Sequence, residues 1–167
     1  EAGAAALTIH PRTCVQCYSG TADWDILAQL VQMMQGRIPV FGSGDLFTPQ
    51  AARDMLSSTK CAGVMVARGA MGNPFIFRQT RELLQTGTYS EISPEDKIGT
   101  AKKELALLCE ETGEQVACRE MRKRFAAYTK GIAGGAKLRE QLVQVCSVQD
   151  YERILENYFV SGAAAYR

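Results

Sequence analysis

The sequence predicts an α/β segment followed by an all-α segment, and three observations carry that prediction. From residue 4 to about 86, short apolar runs alternate with amphipathic helical patterns, the signature of successive βα units on a parallel sheet. After Gly87-Thr88-Tyr89-Ser90 the strand pattern stops, and every later apolar repeat has helical spacing. Charge is also uneven: seven basic residues between Arg119 and Arg139 face one acidic residue, Glu120, a local +6 in a chain whose formal net charge is +1. The expected division is residues 1–90 for the α/β part and 91–167 for the helical part.

Each element has its own local signal. Ala6-Leu7-Thr8-Ile9-His10 is the first strand, and a loop containing Pro11 and Gly20 leads from it to a helix. Leu27, Leu30, Val31 and Met34 line one face of that helix, with Asp23 as N-cap. Ile38-Pro39-Val40-Phe41 is the second strand, its proline near the start, where a missing N–H costs least. Thr48-Pro49 opens the second helix as N-cap and first helical residue, turning Ala52, Met55 and Leu56 inward. Gly63-Val64-Met65-Val66 is the third strand; Asn73-Pro74 starts a helix over Phe75–Leu84 that ends near Gly87.

Three parallel strands cannot cover both faces and both edges of a sheet, and a (β/α)₈ barrel takes about 250 residues. The α/β segment therefore reads as three βα units of a truncated barrel. Ser93-Pro94-Glu95-Asp96 then opens the helical segment with a capping box and an N1 proline. Helices are expected over 94–111, 114–130, 135–146 and 148–159, the last opened by Ser147 with Asp150 three residues on, and they would pack as a bundle.

Composition narrows the class. With 46% apolar and 22% charged residues the chain is globular, and no stretch approaches the ~20 apolar residues of a membrane span. A cytoplasmic protein with reduced thiols is expected, because the six cysteines lack the dense spacing of a secreted disulfide scaffold. Cys14 and Cys17 have redox or half-zinc spacing, but no second cysteine or histidine pair completes four ligands, so the spacing is read as incidental and no metal is expected.

In a parallel barrel, ligands bind where strands end. Strand one ends in His10, the only histidine; strand two in Gly42-Ser43-Gly44-Asp45; strand three in Ala67-Arg68-Gly69-Ala70. Arg68 offers a planar fork of donors, the glycines allow close backbone approach, and the Arg68–Asn73 segment leads N–H groups into a helix. Together these predict a phosphate-binding corner. In the helical segment Arg119, Lys123 and Lys130 share one stripe with Arg122 beside it, opposite Met121, Phe125 and Tyr128. Basic character continues through Lys137 and Arg139, which suits a nucleic-acid backbone.

These runs are also similar to a known family. Leu7-Thr8-Ile9-His10-Pro11-Arg12-Thr13, Tyr18-Ser19-Gly20 and Ala22-Asp23-Trp24 resemble the sixth strand and loop of bacterial tRNA-dihydrouridine synthases. Ile38 to Asp45 resembles the seventh strand with its Asn-Gly-Asp turn, and Val64 to Ala70 with Asn73-Pro74 resembles the eighth. Met121-Arg122-Lys123, Tyr128, Lys130-Gly131 and Leu138-Arg139 match the family's C-terminal helical domain.

The resemblance implies an FMN-dependent enzyme that uses NADPH to reduce the uridine 5,6 double bond in tRNA. It implies that His10 contacts the flavin on the substrate side, that Ser43, Gly44 and Asp45 line FMN, that Ala67 and Arg68 form its phosphate site, and that the helical domain grips tRNA; the basic residues Arg119, Arg122, Lys123, Lys130, Lys137 and Arg139 read above are the expected contacts. Pro11, Ser43 and Ala67 depart from the usual glycine, asparagine and glycine. The family's cysteine acid, in an Asn-x-Gly-Cys-Pro context, and its flavin-binding lysine belong to earlier strands and have no counterpart here. No catalytic residue is therefore expected in this chain, which alone would be inactive and would need the N-terminal half of a barrel or a self-associated half-barrel. The alternatives are a noncatalytic RNA-binding remnant and another FMN-barrel oxidoreductase.

Overall fold

The computed structural model describes residues 3–160. The chain divides into two compact units, one running up to Ala70 and resuming over Pro74–Ser90, the other comprising Met71–Asn73 and the residues from Glu91 onward.

The first unit is built on a three-stranded parallel sheet, β1 (Leu7–Ile9), β2 (Val40–Ser43) and β3 (Gly63–Met65), in that spatial order. Leu7 lies opposite Val40 and Ile9 opposite Gly42, while Gly42 and Ser43 face Val64 and Met65. Each strand leads into a helix: α1 (Trp24–Met34), α2 (Pro49–Thr59) and, after a 3₁₀ turn at Arg68–Ala70, α3 (Phe75–Thr86). Asp23 caps α1 through the amide of Asp25, and Thr48 caps α2 through that of Ala51. No side chain caps α3, so the Asn73-Pro74 signal acts through the proline's fixed φ alone.

The second strand lies two residues later than its apolar run suggests. Pro39 cannot donate to the ladder, although its carbonyl accepts from the Leu7 amide at 3.0 Å, and regular pairing begins after it. Gly42 and Ser43 thus belong to the strand. Leu27, Val40, Leu46, Met55 and Cys61 form the core beneath the sheet, and a fully buried Leu27 contributes about 1.5–3 kcal/mol.

The second unit packs α4 (Pro94–Thr112), α5 (Glu114–Tyr128), α6 (Gly135–Leu142) and α7 (Val148–Val160) around one core containing Ile98, Leu105, Met121, Phe125, Leu138, Tyr151 and Leu155. Ser93 Oγ accepts from the Asp96 amide, and Ser147 Oγ from that of Asp150. Phe125 and Tyr151 stack at 4.6 Å between ring centroids, and the Tyr151 hydroxyl donates to the Cys118 carbonyl at 2.9 Å. Burial pushes the phenols of Tyr128 and Tyr151 well above their usual range and the Cys118 thiol up to about 11.

Two helices here are shorter than their patterns imply. α5 stops at Tyr128 because Thr129, itself fully buried, turns its hydroxyl back to the Phe125 carbonyl at 2.7 Å. α6 stops at Leu142, and Val145 then returns to the core on a turn whose carbonyl accepts from Arg122 Nε at 2.8 Å. Met71–Asn73 joins this unit through Gly72, whose Cα hydrogen points at Ala127; a side chain there would collide with it.

Candidate functional site

At the C-terminal ends of the strands, the first unit forms a narrow hollow. His10, Ser43, Gly44, Asp45, Ala67 and Arg68 all line it, together with Leu46, Phe47, Met65 and Gly69. The three strand-end segments meet because parallel strands in register end on the same side of the sheet. The β2 turn is tightly specified, with Gly44 at φ +118° and Asp45 at φ +58°. A Cβ on Gly44 would lie 2.7 Å from that of Ala22 and 3.4 Å from the His10 ring, so this glycine brings the turn close beneath the histidine.

Asp45 is occupied by the protein itself. Arg12 Nη2 donates to both of its carboxylate oxygens, at 2.8 and 2.7 Å, and the Ala22 amide donates to Oδ2 at 2.7 Å. The Arg12 side chain is 3% exposed, and it also donates to the carbonyls of Ser19 at 2.8 Å and Gly20 at 3.0 Å, leaving only Nε without a partner. Burial alone would raise the Asp45 pKa. The Ala22 amide, the hydrogen bond and charge of Arg12, and the charge of Arg68 outweigh it and hold the carboxyl below its usual value.

Arg68 is the cation of the hollow that stays accessible, its side chain 40% exposed. Its guanidinium lies 4.3 Å from the centre of the Tyr18 ring and 5.3 Å from that of Phe47, with Nη2 3.8 Å from Asp45 Oδ1. The hollow suits a compact anion such as a phosphate. Of the two other glycines expected near a ligand, Gly42 lies away from the hollow, where a Cβ would strike Leu27 and lie 2.6 Å from Met55 Sδ, whereas Gly69 lines the hollow and a Cβ there would also strike the Leu46 carbonyl. Sequence reading did not single out Arg12, Tyr18 or Phe47 for this site; nothing local marks Arg12 and Asp45, 33 residues apart, as partners.

The basic residues of the second unit separate into two groups. Arg119 and Lys123 are exposed on α5, opposite the buried Met121, Phe125 and Tyr128; Lys130 is exposed as well, but on the turn after α5 ends at Tyr128, so it leaves the helical stripe that the spacing predicts. Arg122 donates to the Val145 carbonyl and to Cys146 Sγ, and Arg139 donates to the Thr129 carbonyl at 2.9 Å, so both also brace turns. Lys137 is exposed on α6. Arg124 pairs with Glu120 and with Glu104 of α4, an acidic partner outside the +6 window, which lowers the unbalanced charge of this face. Among the described residues no cluster of three or more His, Cys, Asp or Glu could hold a metal, and no helix is long and apolar enough to cross a membrane.

Comparison with known proteins matches the sequence to a family. The family model described as "Dihydrouridine synthase (Dus)" matches residues 1–163. A probable tRNA-dihydrouridine synthase of Treponema pallidum is 53% identical over 159 residues, 94% of this chain and 47% of that protein. One of Mycobacterium tuberculosis strain H37Rv is 35% identical over 156 residues, 92% of this chain and 40% of that protein. The tRNA-dihydrouridine synthase B of Pseudomonas aeruginosa is 32% identical over 142 residues, 84% of this chain and 42% of that protein. The chain thus spans less than half the length of each of these relatives, and it belongs to the dihydrouridine synthase family.

Proposed function

We propose that the chain is part of a cytoplasmic tRNA-dihydrouridine synthase and supplies its flavin-phosphate corner and its tRNA-binding helices. The observation that carries this reading is the meeting of His10, Ser43, Gly44, Asp45, Ala67 and Arg68 at one hollow, with the accessible guanidinium of Arg68 on its rim. Arg68 and the amides of the 3₁₀ turn would hold the FMN phosphate; Ser43 and Gly44 would line the cofactor's tail, and His10 would face the flavin and the base. When bound, FMN supplies hydride transfer to the uridine 5,6 double bond, with NADPH as the source of reducing equivalents.

In the same reading, the three βα units are the end of a (β/α)₈ barrel, and the helical unit grips tRNA through Arg119, Lys123, Lys130 and Lys137. Arg122 and Arg139 would approach the phosphates from the turns they brace. Such a barrel needs an N-terminal half, or a second half-barrel, which would bring the cysteine acid and the flavin-binding lysine. These 167 residues alone would then not complete the reaction.

Purification of the polypeptide at its natural length tests the proposal. Bound flavin released as FMN, from a chain well above 18.3 kDa, would support it. An 18.3 kDa chain that binds tRNA but no flavin would replace it with an RNA-binding remnant.

A further inference from the structure

We infer that Arg12 is a positioning residue whose charge neutralises Asp45 and thereby leaves Arg68 free to receive an anion. The inference rests on the reading of the hollow as a flavin-phosphate site and goes beyond it by assigning a role to a buried side chain that does not line the hollow.

Charge and distance set the problem that Arg12 solves. Asp45 lies on the wall of the hollow, and its carboxylate is 3.8 Å from Arg68. An anion resting on Arg68 would therefore sit close to a second negative charge, in a setting where water screens only in part. Arg12, Arg68 and Asp45 together carry two positive charges and one negative, a net +1. Without Arg12 the net charge is zero, and Asp45 becomes a competing intramolecular anion for Arg68.

The two arginines take different shares of Asp45. Arg12 holds both carboxylate oxygens at hydrogen-bond distance, whereas Arg68 approaches one at 3.8 Å, beyond it. Tyr18 and Phe47 hold the Arg68 guanidinium over their rings, so it can leave Asp45 without losing its place. Arg12 reinforces this arrangement from behind, because its bonds to the Ser19 and Gly20 carbonyls fix the loop that carries Tyr18.

The test compares FMN with riboflavin, which differ by the phosphate, in equilibrium titrations of the natural-length polypeptide. Arg12→Gln keeps a donor but removes the charge. It should weaken FMN roughly tenfold while changing riboflavin little, and adding Asp45→Asn should restore most of the loss. Arg12→Lys, which keeps the charge with fewer donors, should retain the preference for FMN even where it lowers stability. Equal loss of both flavins in Arg12→Gln, with no recovery on adding Asp45→Asn, would overturn the inference and leave Arg12 a purely structural residue. Loss of the FMN preference in Arg12→Lys would overturn it as well. Arg68→Ala separates the two levels: if it leaves the FMN preference intact, the phosphate reading itself fails.

Discussion

Replacing Asp45 with asparagine removes the carboxylate on which Arg12, Arg68 and the Ala22 amide converge. Arg12 would keep its bonds to the Ser19 and Gly20 carbonyls, yet its charge, on a side chain 3% exposed, would lose its counter-ion. Stranding one member of a buried pair costs about 3–5 kcal/mol; with the two carbonyls retained and Asp45 23% exposed, the lower end, about 3 kcal/mol, is expected near neutral pH. The pH dependence follows from the lowered folded-state pKa. The wild-type advantage is complete above the unfolded value of about 3.9 and disappears as pH falls through the folded value. Urea unfolding of both proteins at several pH values measures this directly. A difference below about 1 kcal/mol at pH 7, or one that does not shrink in acid, would refute the buried-pair account.

Other consequences are equally specific. Gly69→Ala should destabilise the fold by about 2 kcal/mol or more, read as a lower unfolding midpoint, because the new methyl meets the Leu46 backbone carbonyl and not a yielding side chain. Thiol labelling of the native protein should modify exposed Cys14, Cys17 and Cys146 quickly and spare Cys118, which is buried with its thiol pushed up to about 11; rapid labelling at Cys118 would contradict the helical core. Arg119→Ala and Lys123→Ala should each weaken tRNA binding and flatten its salt dependence by about one unit of slope without changing the melting temperature. Arg139→Ala, by contrast, should also cost about 1 kcal/mol of stability, because it uncovers the Thr129 carbonyl.

Much of the architecture was legible because its signals are local. Thr48-Pro49 and Ser93-Pro94 mark helix starts through their own side chains and fixed dihedrals, and both act as caps. The meeting of the strand ends was legible for a similar reason: alternation of strand and helix says where strands end, and polar residues there fall on one side of a parallel sheet. What escaped depends on partners distant in sequence. Arg12 with Asp45 and Arg124 with Glu104 are pairs 33 and 20 residues apart, and neither leaves a periodic trace. Gly42 reads as a turn glycine until Leu27 and Met55 are placed beneath it. The left-handed C-caps Gln35 and Lys60 are invisible to a rule that looks for glycine.

Dihydrouridine formation tests the central claim most directly. An unmodified tRNA transcript would be incubated with NADPH, FMN and the natural-length polypeptide, then digested and weighed nucleoside by nucleoside. One or more uridines should be heavier by two hydrogens, with the yield strongly reduced in Arg68→Ala. If the wild-type polypeptide is folded, FMN-loaded and bound to the tRNA, yet no uridine gains hydrogen, the assignment of this chain to a uridine-reducing enzyme would be contradicted.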